Sequence, residues 1–111
     1  MKKYMALYMA PATAMAQMMQ ATPEQMKQGM DAWMAWGDKF KGSIVEMGSP
    51  LGKTVKVDAK GNSAMKNDIT GYSIVEAESE DDAAEVFEGH PHLSMPGTHI
   101  ELIEFFPMPG V

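Results

Sequence analysis

All three histidines of the chain stand close together, at positions 90, 92 and 99. An imidazole can act as a base near neutral pH or as a metal ligand, and Glu101 or Glu104 could complete such a site. The alternative is that His90 caps the end of a helix and that His92 and His99 lie on the surface. Because this pair of loop histidines lacks a defined ligand spacing, we expect no metal site and no cofactor. Contact of His90 or His92 with a small ligand is the functional hypothesis.

Aromatic residues on the expected strands and on the first long helix are further candidates. Tyr4, Tyr8 and Tyr72 fall on strands, where a buried hydroxyl needs a partner. They are either polar groups inside an apolar pocket or core residues bonded to the backbone. Trp33 and Trp36 are assigned to different helix faces. Trp33 joins the apolar stripe, and Trp36 is expected to line a cavity or an interface.

Carboxylates on strands form the last group of candidates. Glu76 and Glu104 could act as bases if they are buried, because burial raises the pKa of a carboxyl group. The alternative places both at exposed edge positions. The candidates for catalysis are therefore His90, His92 and Glu76. The candidates for ligand binding are Tyr8, Trp36, Tyr72, His90 and His92.

The composition disfavours or excludes several classes of function. The chain has no cysteine, so disulfides, thiolate chemistry and cysteine–zinc sites are excluded. The net charge is −6 and the nine basic residues are scattered lysines, which disfavours nucleic-acid binding. No apolar run approaches the length of a membrane span. The start resembles a secretory signal ending near Ala14-Met15-Ala16, but Pro11 interrupts its short apolar stretch, and we expect a cytoplasmic protein without membrane contact.

Thirteen methionines are a high number for 111 residues. Met26, Met30 and Met34 recur with a helical spacing, in one stripe with Trp33 and Phe40. One interpretation is a thioether site for Cu(I), which prefers soft ligands. The other, which the periodicity favours, is a buried helix face where methionine fills irregular gaps.

The pattern of the chain predicts the order strand, helix, two-strand hairpin region, strand, helix, strand. Alternating residues predict strands over 3–9, 44–47, 53–58, 70–77 and 99–106, with a turn at 48–50 and a hairpin tip at 59–62. Thr22 and Gln25 form a capping box before a helix over 23–41, which Gly42 is expected to end. Ser79 and the acids after it begin a helix over 80–88, which Gly89 ends.

This order favours an α+β fold, namely a ferredoxin-like antiparallel sheet with two helices on one face. Residues 1–111 are expected to form one domain. The first and last strands carry apolar residues on both sides, and the chain offers no third helix to cover the second side. We therefore expect a homodimer in which a second copy covers the open sheet face.

Three stretches of the sequence resemble the YCII-related, or DGPF-domain, family. They are KYMALY (residues 3–8), GYSIVEA (71–77) with the Ser79-led helix, and GHPHL (89–93) followed by Pro96-Gly97 and Ile100-Glu101-Leu102. The resemblance spans nearly the whole chain. It implies a dimeric α+β barrel, with two sheets face to face and a cavity between sheet and helix in each subunit.

The chain departs from that family at two motifs. Members with a proposed active site use an early histidine paired with an aspartate, whereas residues 1–89 contain no histidine here. Asp31 and Asp38 therefore lack that partner. Where the DGPF motif should precede the strand at Gly71, only Asp68 could correspond to it. The proposed dyad is not transferable.

Two functions follow from these observations. The first is a small-molecule-binding or accessory dimer, which the lack of a nucleophile–base pair favours. The second is a cofactor-independent enzyme of isomerase, lyase or oxygenase type, with a histidine or glutamate base in an apolar pocket. A deep pocket that contains one of the histidines would favour the enzyme.

Overall fold

The computed structural model describes residues 1–109, and residues 110 and 111 lie outside the described part. Its elements, in chain order, are β1 (Lys2–Met9), α1 (Ala12–Met19), α2 (Pro23–Lys39), β2 (Ile44–Pro50), β3 (Thr54–Asp58), β4 (Gly61–Met65), β5 (Ile69–Ala77), α3 (Glu80–Phe87), a 3₁₀ helix (Pro91–Ser94) and β6 (His99–Glu104).

Four strands form one antiparallel sheet in the order β2-β5-β1-β6. This is the strand order of a ferredoxin-like sheet, and it confirms the predicted α+β class. Strands β3 and β4 pair only with each other in a second sheet, which we call the hairpin.

The two faces of the main sheet differ as the alternation predicts. On the helix side, Tyr4, Ala6 and Tyr8 of β1 are buried. The opposite side, which we call the open face, has side chains that stay partly or largely exposed. It carries the apolar residues Met5, Leu7, Met9, Tyr72, Ile74 and Ile103.

Both predicted helix starts are confirmed. The Thr22 hydroxyl accepts a hydrogen bond from the Gln25 backbone N–H at 3.1 Å, and the Gln25 side chain accepts one from the Thr22 backbone N–H at 3.0 Å. At α3, the Ser79 hydroxyl accepts from the backbone N–H of Asp82 at 3.1 Å. These caps satisfy N–H groups that have no partner within the helix.

The prediction that the methionine stripe of α2 is buried is wrong. Met26, Met30 and Met34 are 58%, 64% and 64% exposed. The helix instead turns Trp36 into the core, and Trp33 and Phe40 pack against the core from the same side. Helical periodicity identifies a stripe, but the large aromatic rings occupy the sheet surface and leave the methionines outside it.

Three local predictions are also corrected. Residues 12–19 form a full helix, α1, where the alanine- and methionine-rich segment predicts a connection with at most a short helical turn, so the described residues contain a third α-helix. Strand β2 continues through 48–50 instead of turning, because Gly48 adopts a φ of +80° at an irregularity of the β2–β5 pairing. Helix α2 ends at Lys39 with Phe40 as its cap, and Gly42 is not in the left-handed conformation.

Within residues 1–109, no helix is both long enough and apolar enough to cross a membrane. The same residues bring together no group of three or more histidine, aspartate or glutamate side chains suited to holding a metal ion.

Candidate functional site

The junction after α3 inserts His90 into the core. Gly89 adopts a φ of +71°, as expected for a residue that ends a helix, and the chain reverses there. The 3₁₀ helix that begins at Pro91 then fixes the backbone beyond the turn. As a result the His90 ring is only 2% exposed and is one of the largest fully buried side chains.

The hydrogen bonding of His90 fixes its protonation state. The backbone N–H of His92 donates to Nδ1 of His90 at 3.0 Å, so Nδ1 carries no proton. In the neutral ring the proton is therefore on Nε2, and among the described residues no atom accepts a hydrogen bond from it. Burial, together with the nearby His92, lowers the pKa of His90 from 6.5 to about 4. At neutral pH the side chain is a neutral N–H donor without an acceptor.

Aromatic rings surround this donor, and we call the group of Tyr8, Trp33, Trp36 and Phe87 the aromatic cage. The centroids of Trp33 and Trp36 lie 4.4 and 4.5 Å from that of His90, both edge-to-face. Tyr8 and Phe87 lie at 5.1 and 5.9 Å. Trp36 is fixed by a 2.8 Å hydrogen bond from its Nε1 to the carbonyl of Val86. Trp33 is the partly exposed member of the cage.

The hydroxyl of Tyr8 belongs to a short hydrogen-bond chain. The Ser73 hydroxyl donates to the carbonyl of Met47 at 2.6 Å, so it accepts from Tyr8 at 2.7 Å. Burial raises the pKa of Tyr8 to about 12, although the Ser73 hydrogen bond opposes that shift. The phenol therefore stays protonated at neutral pH, and its own oxygen can still accept one more hydrogen bond.

The other two histidines have separate roles. His92 is 8% exposed and not on the surface, and its Nε2 donates to the carbonyl of Met9 at 2.9 Å. His99 is exposed, and its Nε2 lies 2.8 Å from a carboxylate oxygen of Glu101. His92 thus supports the site through the backbone of β1 and through the hydrogen bond to His90, whereas His99 is remote from it.

The structure brings together four of the predicted site residues and separates two. Tyr8, Trp36, His90 and His92 converge on the cage. Tyr72 and Glu76 alternate with the buried residues of β5 and lie on the open face. There the Tyr72 hydroxyl donates to Glu46 at 2.5 Å, and this hydrogen bond raises the pKa of Tyr72.

Two members of the site were not among the predicted residues. Trp33 was assigned to a different helix face from Trp36, yet residues three apart are neighbours on a helix, and both rings contact His90. Ser73 gave no signal, because its role depends on the pairing of β5 with β1, 65 residues away along the chain. The three-residue spacing of Trp33 and Trp36 is the feature of the sequence that indicates that both rings can reach one site.

Two cavities on the described part of the chain lie away from the cage. One, of about 600 Å³, is a shallow depression between α2 and β2, and the other, of about 230 Å³, lies at the start of α3. Neither is lined by a histidine. The first is lined by Met34, Ala35, Gly37, Asp38 and Met47, and the second by Lys2, Tyr4, Ser79, Glu80, Leu102 and Glu104. The Nε2 atom of His90 is itself buried, and the rings of Trp33 and Trp36 are its neighbours in the cage.

Comparison with known proteins gives a fold likeness. No family model and no curated protein matches the chain. Among solved structures, the chain is similar to 5-chloro-2-hydroxyhydroquinone dehydrochlorinase from Burkholderia phenoliruptrix AC1100, in complex with 2,5-dihydroxybenzoquinone. The two share 21% identity and a TM-score of 0.50, with 91% of each chain covered. This likeness supports the α+β fold.

Proposed function

We propose that this chain is a small-molecule-binding protein of the YCII-related type, a single domain that holds one oxygen acceptor of a compact planar ligand on Nε2 of His90. The observation that carries the proposal is the buried N–H group without an acceptor. A buried donor left unpaired costs about 1–3 kcal/mol. A ligand oxygen placed on Nε2 would recover that free energy on binding.

The surroundings of His90 indicate the class of ligand. Tyr8, Trp33 and Trp36 present ring surfaces, which favour a flat, largely apolar molecule. The dehydrochlorinase of similar fold was solved with 2,5-dihydroxybenzoquinone, a small ring that carries several oxygen atoms. A quinone or a phenol supplies both the flat ring and the acceptor that the cage lacks.

Entry of such a ligand requires one wall of the cage to move. Trp36 is held by its hydrogen bond to Val86, and Tyr8 by its bond to Ser73. Trp33 is the partly exposed member, and within residues 1–109 no hydrogen bond fixes its ring. A rotation of the Trp33 side chain away from β1 is therefore the step that opens the site.

A cofactor-independent enzyme is the second candidate, and the neighbour's description as a dehydrochlorinase supports it. The sequence suggests His90 as a base, but in the structure it is suited to the role of a hydrogen-bond donor. A neutral imidazole with Nδ1 engaged is a poor base but a good donor to an oxygen that gains negative charge. In a catalytic version of the proposal, His90 stabilises a developing enolate or phenolate, and release of chloride from 5-chloro-2-hydroxyhydroquinone is the activity to assay.

The proposal includes a homodimer through the open face. Met5, Leu7 and Ile74 form its centre and are partly exposed, and Ile103 is 49% exposed. Contiguous apolar residues of this kind typically mark an interface. Sedimentation equilibrium should give a mass near twice that of the chain, and a monomer at about 100 µM would contradict the dimer.

Calorimetric titration with 2,5-dihydroxybenzoquinone tests the binding site. The wild-type chain should bind it, and His90→Phe should bind about tenfold more weakly, because phenylalanine keeps the ring but lacks the donor. His99→Phe, which changes an exposed histidine, is the matched control and should bind as the wild type does. Equal affinity of His90→Phe would contradict the donor role, and no binding by the wild type would contradict the ligand class.

A further inference from the structure

The hairpin has one apolar face and one polar face. Residues paired across its two strands lie on the same face, so Val55 opposite Ala64 and Val57 opposite Asn62 share one side. The opposite side carries Lys56 with Ser63 and Thr54 with Met65. Such an amphipathic ribbon is expected to cover something with its valine face.

Nothing in the described part of the chain covers that face. Val55 is 54% exposed and Val57 is 78% exposed, and neither belongs to the core cluster. At the base of the hairpin, the Asn67 side chain donates to the Thr54 hydroxyl at 3.2 Å. An isolated two-stranded hairpin is at best marginally stable in water, so a further contact on the valine face would stabilise this one.

The dimensions of the molecule are consistent with a hairpin whose valine face lacks a partner within the chain. The radius of gyration is 15.7 Å, whereas a compact chain of this length has about 13 Å. The extents are 49 × 44 × 19 Å, so the chain is thin in one direction and extended in the other two. A flat body with a projecting ribbon exposes more surface than a self-sufficient domain of this size normally does.

Charge distinguishes the hairpin from the rest of the chain. Residues 53–66 contain four lysines and one aspartate, a net charge of +3, and the remaining residues therefore carry −9. These lysines are all exposed: Lys53, Lys56, Lys60 and Lys66. Three acids of the main sheet, Glu46, Glu76 and Glu101, lie around the apolar centre of the open face, with Lys3 opposite Glu76 and with His99 2.8 Å from Glu101. A basic ribbon with a valine face thus complements an acidic surface with an apolar centre.

We propose that the hairpin is an arm that docks on the open face of a second copy of this chain. The inference rests on the dimer of the proposed function and extends it by assigning the contact. The valines pack beside the apolar centre of the partner's sheet, and the lysines meet its acidic rim. Two-fold symmetry makes the contact reciprocal, so each dimer contains it twice.

The first test compares dimer dissociation constants by sedimentation equilibrium. The double variant Val55→Ser with Val57→Ser should raise the dissociation constant at least about tenfold. The matched control is Met26→Ser with Met30→Ser, which removes equally exposed apolar side chains from α2 and should leave the constant unchanged. Near-UV circular dichroism of the aromatic cage verifies that both variants keep the fold. A valine variant within about twofold of the wild type would overturn the arm and leave the dimer standing.

The second test uses the absence of cysteine. A fluorophore sensitive to its environment, attached to Val57→Cys, should shift to the blue as the protein is concentrated and the dimer forms. The same label on Lys56→Cys, on the polar face, should shift less. Equal shifts would overturn the assigned orientation. A wild-type monomer would overturn the dimer and the arm together, whereas the quinone titration would still decide the binding site.

The charge of the arm has one competing explanation, an anionic surface as its partner. The triple variant Lys53→Glu, Lys56→Glu, Lys60→Glu should raise the dimer dissociation constant, and added salt should weaken the wild-type dimer. Vesicles that contain phosphatidylserine and a DNA duplex are the comparison probes. Binding of either by the wild type, lost in the triple variant while dimerisation is unchanged, would overturn the proposal in favour of that surface.

Discussion

A histidine that folding keeps neutral should make the stability of this protein fall as the pH is lowered. His90 has a pKa of about 4 in the folded chain, against 6.5 for an unperturbed histidine. The unfolded chain therefore binds a proton at a pH where the folded chain does not. The full contribution is present above about pH 6.5 and is lost as the pH falls towards 4.

The size of this effect follows from the difference of the two pKa values. With each pKa unit worth about 1.4 kcal/mol, the free energy of unfolding should fall by about 2 kcal/mol between pH 7 and 5, and by about 3 kcal/mol down to pH 4. These figures concern His90 alone, since carboxylates also titrate towards the lower end. The difference between the wild type and His90→Phe isolates the histidine.

Urea denaturation at a fixed protomer concentration measures this difference, because a dimer makes apparent stability depend on concentration. His90→Phe should show a pH dependence weaker by about 2 kcal/mol between pH 7 and 5. His99→Phe is the control and should follow the wild type, because it replaces an exposed histidine outside the aromatic cage. If His90→Phe loses as much stability as the wild type over this range, His90 is not a buried neutral imidazole.

Two further pairs of substitutions, each with its control, test the surroundings of the site. Tyr8→Phe leaves the Ser73 hydroxyl bonded to Met47 but removes its donor, and should lower the free energy of unfolding by about 1 kcal/mol in urea denaturation, whereas Tyr72→Phe at the exposed Glu46 pair should cost less. Gly48→Ala would place a Cβ 1.7 Å from the carbonyl oxygen of Tyr72 at a φ of +80°, and should destabilise the chain by more than about 2 kcal/mol. Gly42→Ala meets no atom within 4 Å and should leave the thermal midpoint unchanged or higher, so equal effects at the two glycines would contradict the assigned geometry.

The parts of the fold that depend on neighbouring residues were readable from the sequence. The alternation of Tyr4, Met5 and Ala6 predicts a strand with two different faces, and the structure confirms it. The capping box of Thr22 and Gln25 needs only a spacing of three residues, and both of its hydrogen bonds are present. Such features depend only on residues within a few positions of one another along the chain.

The parts that depend on tertiary packing were not readable. Helical periodicity indicates that α2 is amphipathic, but it does not decide which apolar residues face the sheet. The rings of Trp33, Trp36 and Phe40 take that place, and the methionines are left outside. Gly42 and Gly48 illustrate the same limit. The sequence predicts that Gly42 ends a helix and that Gly48 begins a turn. Of the two, only Gly48 lies against a neighbouring strand, where a Cβ would clash with the carbonyl oxygen of Tyr72.

The convergence on His90 is a long-range effect and also the main argument for function. Trp36 is bonded to α3 across 50 positions, and His92 to β1 across 83. These contacts surround an imidazole whose Nε2–H has no acceptor and whose charged form is strongly disfavoured. A phenylalanine at position 90 would fill a similar aromatic space without either cost, but it would leave the backbone N–H of His92 without the acceptor that Nδ1 provides. The fold thus uses Nδ1 of the histidine, whereas the Nε2–H is a proton donor among aromatic rings that the proposed ligand would pair.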